Sequence, residues 1–326
     1  MIRQSFSIVS LLVALTLLAC KSNQSTSAPA GEEADLTTVS FDADSAFALI
    51  VAQCDMGARV PGSAAHSQCA SWIQQQFKAR GMQPADQTAR LTMWDGKTYD
   101  CHNIFASYKP EAARRILLCA HWDSRPWADE DADSSKHRSP VMAANDGASG
   151  VAVLLEVARL LPALDPSVGV DFLCFDLEDY GAPYWAKSSV QEDDWCVGSR
   201  YWAEHKPADY KPEYAILLDM VGGKDTKFYY EHFSRQYAQR ILARTWGAAQ
   251  TAGYEAYFPQ RDGLMLTDDH IPLNRIARIP TIDIVGTADQ GFGATWHTTA
   301  DTPENISKDL LKAVGQTLLQ LLYEEN

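Results

Sequence analysis

The stretch GVDFLCFDLEDYG, residues 169–181, combines an apolar run with two adjacent acids. Its first seven residues are typical of a buried strand. Glu178 and Asp179 follow at the point where this strand should end. Carboxylates at the edge of a core are costly unless a partner compensates their charge. The stretch therefore predicts a core strand whose end carries a functional site.

Similar apolar runs recur along the chain and alternate with helical segments. We predict strands over residues 114–123, 170–176, 213–222 and 279–286, and helices over residues 63–81, 147–161, 235–253 and 307–325. Short apolar strands that alternate with helices indicate a single α/β domain. We expect a mostly parallel, mixed central sheet with helices on both faces.

The N-terminus has the pattern of an export signal. Arg3 precedes an apolar stretch that ends in Leu-Leu-Ala-Cys at Cys20, which resembles a bacterial lipobox. The resemblance implies a lipoprotein signal peptide over residues 1–20 and a lipid anchor on Cys20. Residues 21–40 are polar and Ser/Pro-rich, which favours a flexible tether, and the catalytic domain should cover residues 41–326. We therefore expect an exported, membrane-anchored lipoprotein of the periplasm or cell envelope.

Charge and hydropathy exclude several classes of partner. The net charge is −14, and no basic run is present, so we expect no nucleic-acid binding. No segment after residue 40 is apolar for long enough to span a bilayer. We expect membrane contact through the lipid on Cys20 alone, and a monomer.

Polar residues gather where the predicted strands end. Because ligands bind beyond the carboxyl ends of parallel strands, these residues should share one edge of the sheet. Imidazole and carboxylate ligands without a thiolate favour a zinc-like ion, with an open position for catalysis. The residues concerned are His121, Asp146, Glu178, Asp179, Asp219, Asp268, Asp269, His270 and His297.

Several of these segments resemble a known superfamily, the M28-like zinc peptidases, over about residues 45–326. The matching motifs are HWD (121–123), NDGASG (145–150), LEDYG (177–181), LLDMVG (217–222) and WHTTADTPENI (296–306). Within that superfamily, the chain resembles the zinc-dependent glutaminyl-peptide cyclotransferases, in particular bacterial members of the animal type. This narrower likeness depends on Trp296 before His297, on DDHIP (268–272) and on HWDSRPWADED (121–131).

The resemblance implies one zinc ion per chain and a general acid/base. By position, Asp146, Asp179 and His297 would hold the zinc. Glu178 would carry the proton, which suits an acid placed among other acids in a partly dry site.

The resemblance also implies further roles around the zinc. Asp219 and Asp269 would form hydrogen bonds within the site. Trp296, Trp185 and Asp268 would line the substrate pocket.

The implied reaction is the cyclisation of an N-terminal glutamine to pyroglutamate with release of ammonia, so the expected partners are peptides or proteins that begin with Gln. The nucleophile is the substrate's own α-amine, and no water needs activation. Two alternatives stay open. His121 and Asp219 would complete the ligand set of a two-zinc aminopeptidase, and a binding module without catalysis would keep the same fold.

Overall fold

Seven strands form the central sheet of the structure, which is a computed structural model that describes residues 35–186 and 194–326. The strands are β1 (Ala85–Thr92), β2 (Thr98–Tyr108), β3 (Arg115–His121), β4 (Gly169–Phe175), β5 (Tyr214–Asp219), β6 (Lys227–Phe228) and β7 (Thr281–Thr287). Their spatial order is β1-β2-β4-β3-β5-β7-β6. The four central strands run parallel, and the outer strands pair antiparallel.

The predicted mixed sheet is therefore confirmed, with its parallel part at the centre. The four predicted strands are the four parallel ones. The antiparallel edges were not predicted because their sequences lack a long apolar run: β1 is exposed or half-buried along its whole length, and β6 has two residues.

Seven helices accompany the sheet in the described part of the chain. They are α1 (Ala43–Cys54), α2 (Ala64–Ala79), α3 (Ala148–Leu164), α4 (Val197–His205), α5 (His232–Thr251), α6 (His270–Pro272) and α7 (Lys308–Tyr323). A π-helical turn, Leu273–Ala277, continues α6, and 3-10 turns lie at Ser134–Lys136 and Pro303–Asn305.

The helix boundaries follow local capping chemistry. Ser63 is the predicted cap of α2, and its side chain accepts a hydrogen bond from the backbone N–H of His66 at 3.1 Å. Gly81 follows the end of α2 with φ of 80°, a conformation that glycine adopts at low cost. Helix α5 begins before the predicted residue 235 because Glu231 caps it and accepts from the amides of Phe233 and Ser234.

Helices cover both faces of the sheet, as predicted. On β3, Ile116 and Leu118 belong to a core cluster shared with α1, α2, α3, α5 and α7. The alternate residues Leu117 and Cys119 belong to a second cluster with Trp202 of α4. Burial on both faces explains why the parallel strands are continuous apolar runs.

The described domain begins slightly before the predicted residue 41. The backbone N–H of Thr37 donates to the side chain of Gln320 at 3.0 Å, and Gln316 donates to the carbonyl of Val39 at 3.0 Å. Residues from Leu36 onward thus form one unit. Residues 1–34 lie outside the described residues, so the signal peptide, Cys20 and most of the tether stay predictions. Within the described residues, no helix is both long and apolar enough to cross a membrane.

Candidate active site

Predicted site residues from five segments meet at the carboxyl-terminal edge of the parallel strands. The registers of β3 with β4 and of β5 with β7 bring the strand ends to a common level. Each side chain of this set belongs to a residue that is at most 8% exposed. The residues are His121, Asp146, Glu178, Asp179, Asp219 and His297.

The three predicted zinc ligands lie together. The Nε2 atom of His297 is 3.3 Å from Oδ1 of Asp179 and 3.6 Å from Oδ2 of Asp146. One ligand atom from each residue lies within 4.8 Å of the other two. The buried Oδ2 of Asp179 has no hydrogen-bond partner among the described residues. Two carboxylates and an imidazole are a ligand set that suits zinc with an open fourth position, so the group fits the ion that the sequence predicts.

The two turns that carry these acids are held by buried carboxylates. Asp123 accepts hydrogen bonds from the backbone N–H groups of Glu178 and Asp179, at 3.1 and 3.2 Å. Asp301 accepts from the N–H groups of Asn145 and Asp146, at 2.7 and 3.0 Å. Each carboxylate therefore fixes two consecutive amides, and with them the direction of the acid side chains.

A buried cation lies directly behind the ligands. The guanidinium of Arg125 donates to both oxygens of Asp129 at 2.6 Å, and its Nη1 lies 3.3 Å from Oδ1 of Asp179. Oδ1 of Asp129 is 3.7 Å from Nδ1 of His297. Arg125 thus compensates the charge of Asp179 directly. It interacts with the second ligand, His297, through Asp129. The sequence analysis assigned no role to Arg125 or Asp129, because a lone Arg in a loop is usually a surface residue.

A glycine at 147 lets the Asp146 turn approach β3 closely. A Cβ atom at this position would lie 2.5 Å from the carbonyl oxygen of His121 and 2.7 Å from its ring. A side chain at this position would require the turn or the end of β3 to shift.

A cavity that is open to solvent lies above these residues. Acids form one part of its wall, and aromatic and apolar side chains form the other. The lining residues are Asp146, Glu178, Asp179, Trp195, Asp219, Met220, Leu266, Thr267, Asp268, Val285, Phe292, Trp296 and His297.

Aromatic rings stack around the ligand histidine. The ring of Trp296 lies 3.8 Å from that of His297, and Phe292 stacks on Trp296 at 4.0 Å. The indole of Trp195 is parallel to the His297 ring at 6.1 Å. Trp195 fits there because Gly181 has no side chain, since a Cβ at 181 would lie 2.0 Å from the indole.

One of the three residues that were predicted to line the substrate pocket is not in the wall of this cavity. Trp185 stacks on His137 and lies under the guanidinium of Arg138, and Trp195 is the tryptophan of this segment that lines the cavity. No sequence signal separated the two tryptophans, because the segment between Gly181 and Cys196 matches the resemblance poorly.

The neighbouring acids Asp268 and Asp269 lie in different surroundings. Asp268 lines the cavity, as predicted, with an oxygen within 4.8 Å of the Glu178 carboxyl group. Asp269 is 0% exposed, and neither of its carboxyl oxygens has a hydrogen-bond partner among the described residues. No hydrogen bond from Asp269 to another residue of the cavity is therefore seen among the described residues, and its role within the site stays a prediction.

Burial controls the protonation of the acids in the wall. It raises the pKa of Glu178 well above the usual value; His121 opposes this effect, and Asp179 and Asp268 add to it. Burial also raises the pKa of Asp219, to about 8. A carboxyl group that keeps its proton near neutral pH can give and take protons during a reaction.

His121 lies between two acids on the far side of Asp146. Its Nε2 is 3.0 Å from Oδ1 of Asp146 and 3.2 Å from Oδ1 of Asp219. The three residues offer ligand atoms within 4.8 Å of one another. This is the group that the two-zinc alternative requires.

Comparisons with known proteins agree with this geometry. The model of peptidase family M28 matches residues 103–322. The structure superposes on the glutaminyl cyclase of Bacteroides thetaiotaomicron, solved with N-acetylhistamine, with a TM-score of 0.87 and 45% identity over 88% of this chain and 99% of that one.

A second structure from the same organism, a leucine aminopeptidase precursor, gives a TM-score of 0.87 and 44% identity over 90% of this chain and 100% of that one. The glutaminyl-peptide cyclotransferase-like protein of Mus musculus is 28% identical over 250 residues, which cover 69% of this chain and 61% of the mouse protein. The chain spans about two fifths to two thirds of the length of the curated relatives that it matches.

Proposed function

The chain belongs to peptidase family M28, and we propose that within this family it is a glutaminyl-peptide cyclotransferase. It converts the N-terminal glutamine of peptides or proteins to pyroglutamate and releases ammonia. The observation that carries this proposal is the cavity, where Glu178 and Asp268 lie beside the three ligands and opposite an aromatic wall.

Zinc is the metal that the family and the ligand set imply, with Asp146, Asp179 and His297 as its ligands. Bound there, the ion would polarise the γ-carbonyl group of the substrate glutamine.

Glu178 moves the proton in the proposed reaction. The substrate's α-amine forms a bond to its own γ-carbon, and Glu178 accepts the proton that the amine loses. Glu178 then gives a proton to the departing nitrogen as the bond between carbon and the amide nitrogen breaks, so that ammonia leaves. The raised pKa of Glu178 suits both steps. The reaction is intramolecular, so the pocket needs mainly to hold the folded conformer.

The cavity wall supports the substrate class. Trp195, Trp296, Phe292 and Leu266 offer apolar surface to the methylene groups of one side chain. The acids on the other side attract a positively charged N-terminus.

One zinc ion per chain is part of the proposal. His121 lies within hydrogen-bonding distance of both acids with which it would share a second ion. Its own pKa is well above the usual value: burial lowers it, but hydrogen bonds to Asp123, Asp146 and Asp219 outweigh the burial. An imidazolium at this place supplies a positive charge without a second metal.

The second candidate function is a two-zinc aminopeptidase. It is favoured by the ligand group of His121, Asp146 and Asp219 and by the similarity to the leucine aminopeptidase precursor. It would require His121 to give up its hydrogen bonds to the two acids.

Mass spectrometry of two peptides separates these functions. A peptide that begins with Gln and one that begins with Leu are incubated with the purified zinc-loaded domain. We expect the Gln peptide to lose one ammonia and the Leu peptide to stay intact. Release of the N-terminal Leu would show that the protein is an aminopeptidase and not a cyclase. If both peptides stay unchanged, the protein is a binding module without catalysis.

We also propose that the protein is an exported lipoprotein anchored through Cys20, and that it acts as a monomer on protein N-termini in the cell envelope. The support is the sequence pattern of residues 1–20. Labelled palmitate should be incorporated into the full-length chain and not into the Cys20→Ser variant. Equal labelling of the two chains would contradict the anchor.

A further inference from the structure

A buried polar cluster lies behind Asp268, on the side away from the cavity. It consists of Asp283 on β7, His270 at the start of α6 and Glu231, the N-cap of α5. Each is at most 1% exposed. Atoms of Asp268, His270 and Asp283 lie within 4.8 Å of one another. No role in the proposed reaction has been given to the three residues of this cluster.

Hydrogen-bond donors at the start of α5 point at Glu231. Nε2 of His270 lies 3.2 Å from Oε2 of Glu231, without hydrogen-bond geometry. The hydroxyl group and the backbone N–H of Ser234 donate to Oε2 at 2.8 and 2.6 Å, and the N–H of Phe233 donates to Oε1 at 3.0 Å. Glu231 is therefore a well-compensated carboxylate.

Asp283 has no comparable donor. Its two carboxyl oxygens receive no hydrogen bond from any donor in the described part of the chain. Nδ1 of His270 is 3.8 Å from Oδ2 of Asp283, which is too long for a hydrogen bond. The titratable groups that face Asp283 are Asp268 from the loop before α6, Asp219 from β5, Glu231 from the cap of α5 and His270 from α6.

Asp268 is the partner that remains for Asp283. One oxygen of Asp268 already accepts the backbone N–H of Asp269 at 2.5 Å. An oxygen atom of Asp283 lies within 4.8 Å of an oxygen atom of Asp268, so the two carboxyl groups are neighbours. Two buried carboxylates that face each other cannot both keep a charge, and they share a proton. A proton on Asp283 satisfies both groups, because Asp283 then donates and Asp268 accepts.

We propose that Asp283 is a neutral hydrogen-bond donor and a positioning residue that holds the Asp268 carboxylate beside Glu178. The inference rests on the proposed cyclase function, in which Glu178 moves the proton. Its consequence is that the chemical step depends on a residue on β7 that does not line the cavity. The donors at the start of α5 are taken by Glu231, and none of the described donors reaches the Asp283 carboxyl group.

The chemistry of the pair is tested by two substitutions of nearly equal size. Asp283→Asn keeps a donor for Asp268 but cannot ionise, whereas Asp283→Leu removes the donor. We expect the Asn variant to keep kcat within about 3-fold of the parent, and the Leu variant to lose kcat by about 10- to 100-fold with KM unchanged. Thr281→Val is the matched control, since Thr281 is buried on the same face of β7 and its hydroxyl group donates to Ile279 instead. Its kcat should not change.

The outcomes separate this inference from the proposed function. If the parent enzyme does not cyclise a Gln peptide, the proposed function fails whatever the variants do. If the parent is active and the Asn variant loses as much kcat as the Leu variant, the reaction needs Asp283 as an ionised carboxylate and not as a neutral donor. This result overturns the inference. A Leu variant with full kcat also overturns it. If Asp283→Leu does not fold, Asp283→Thr, which suits a strand and lacks the reach to Asp268, replaces it with the same expected loss.

An infrared spectrum provides a readout that does not depend on activity. At neutral pH, the parent protein should show absorption of a protonated carboxyl group that Asp283→Asn lacks. Zinc analysis of the same samples should give equal metal content. Loss of a metal ion in Asp283→Asn would show that Asp268, His270 and Asp283 hold a cation, and identical infrared spectra would show that Asp283 is ionised; either result overturns the inference.

Discussion

On the ligand side of the cavity, which consists of Asp146, Asp179 and His297, the carboxylate turns are held by fixed hydrogen bonds and a buried arginine. On the acid side, which consists of Asp219 and Asp268 with Asp283 behind them, carboxyl groups face one another. Asp123 and Asp301 each fix two backbone amides of the ligand side. The Asp283 oxygens on the acid side receive no hydrogen bond from a described donor.

The difference shows how one cavity can use acids for two purposes. Where a cation binds, the surrounding residues must fix the direction of each ligand, because the metal supplies the compensating charge. Where no cation binds, burial forces protons onto some of the acids, as the pKa of about 8 for Asp219 illustrates. Glu178 lies between the two sides, where a proton can move next to a polarised substrate.

The largest effect should come from removing a ligand. We expect His297→Ala to lose zinc and to lower kcat/KM by about 10⁴-fold or more, because the ion provides several kcal/mol of transition-state stabilisation. Metal analysis after dialysis and the cyclisation rate of a Gln peptide are the measurements.

His205→Ala is the control for this variant, because His205 is exposed on α4 and its ring contacts the carbonyl group of Tyr201. It should keep both zinc and activity. Full zinc occupancy in His297→Ala would show that His297 is not a zinc ligand.

Glu178→Gln should separate the two sides of the cavity. The variant keeps the shape of the side chain and the hydrogen bond from the backbone N–H of residue 178 to Asp123. Its amide cannot carry the proton. We expect zinc content to stay at the parent level and kcat to fall by about 10³-fold. Zinc analysis and steady-state kinetics on the same preparation check this expectation. Turnover at the parent rate would mean that another acid moves the proton.

The sequence alone predicted the ligand side better than the acid side. Apolar runs that end in His or acid mark the carboxyl ends of parallel strands, so the positions of His121, Asp179 and Asp219 could be predicted from patterning. Direction within a turn could not be predicted: Asp268 and Asp269 are adjacent, and only the backbone conformation decides which one faces the cavity.

Long-range packing also limits what the sequence reveals. Trp195 reaches the cavity because Gly181 leaves room for its indole, and Trp185 at an equally plausible position stacks on the surface loop instead. The N-cap Glu231 and the strand residue Asp283 become neighbours of Asp268 only through the tertiary fold. Neither has a local sequence signal, because an acid before a helix or within a strand has many structural uses.

Arg125→Met tests how far the ligand side depends on its supporting charge. The substitution keeps much of the side chain's length and removes the contacts to Asp179 and Asp129. We expect zinc affinity to fall by about 10- to 100-fold, a smaller effect than the loss of a ligand, because the three ligand atoms remain. Competition with a chelator measures the affinity. Arg159→Met is the control, since Arg159 is partly exposed on α3 and pairs with Glu156. An unchanged zinc affinity in Arg125→Met would show that the hydrogen bonds of Asp123 and Asp301 suffice to orient the ligands.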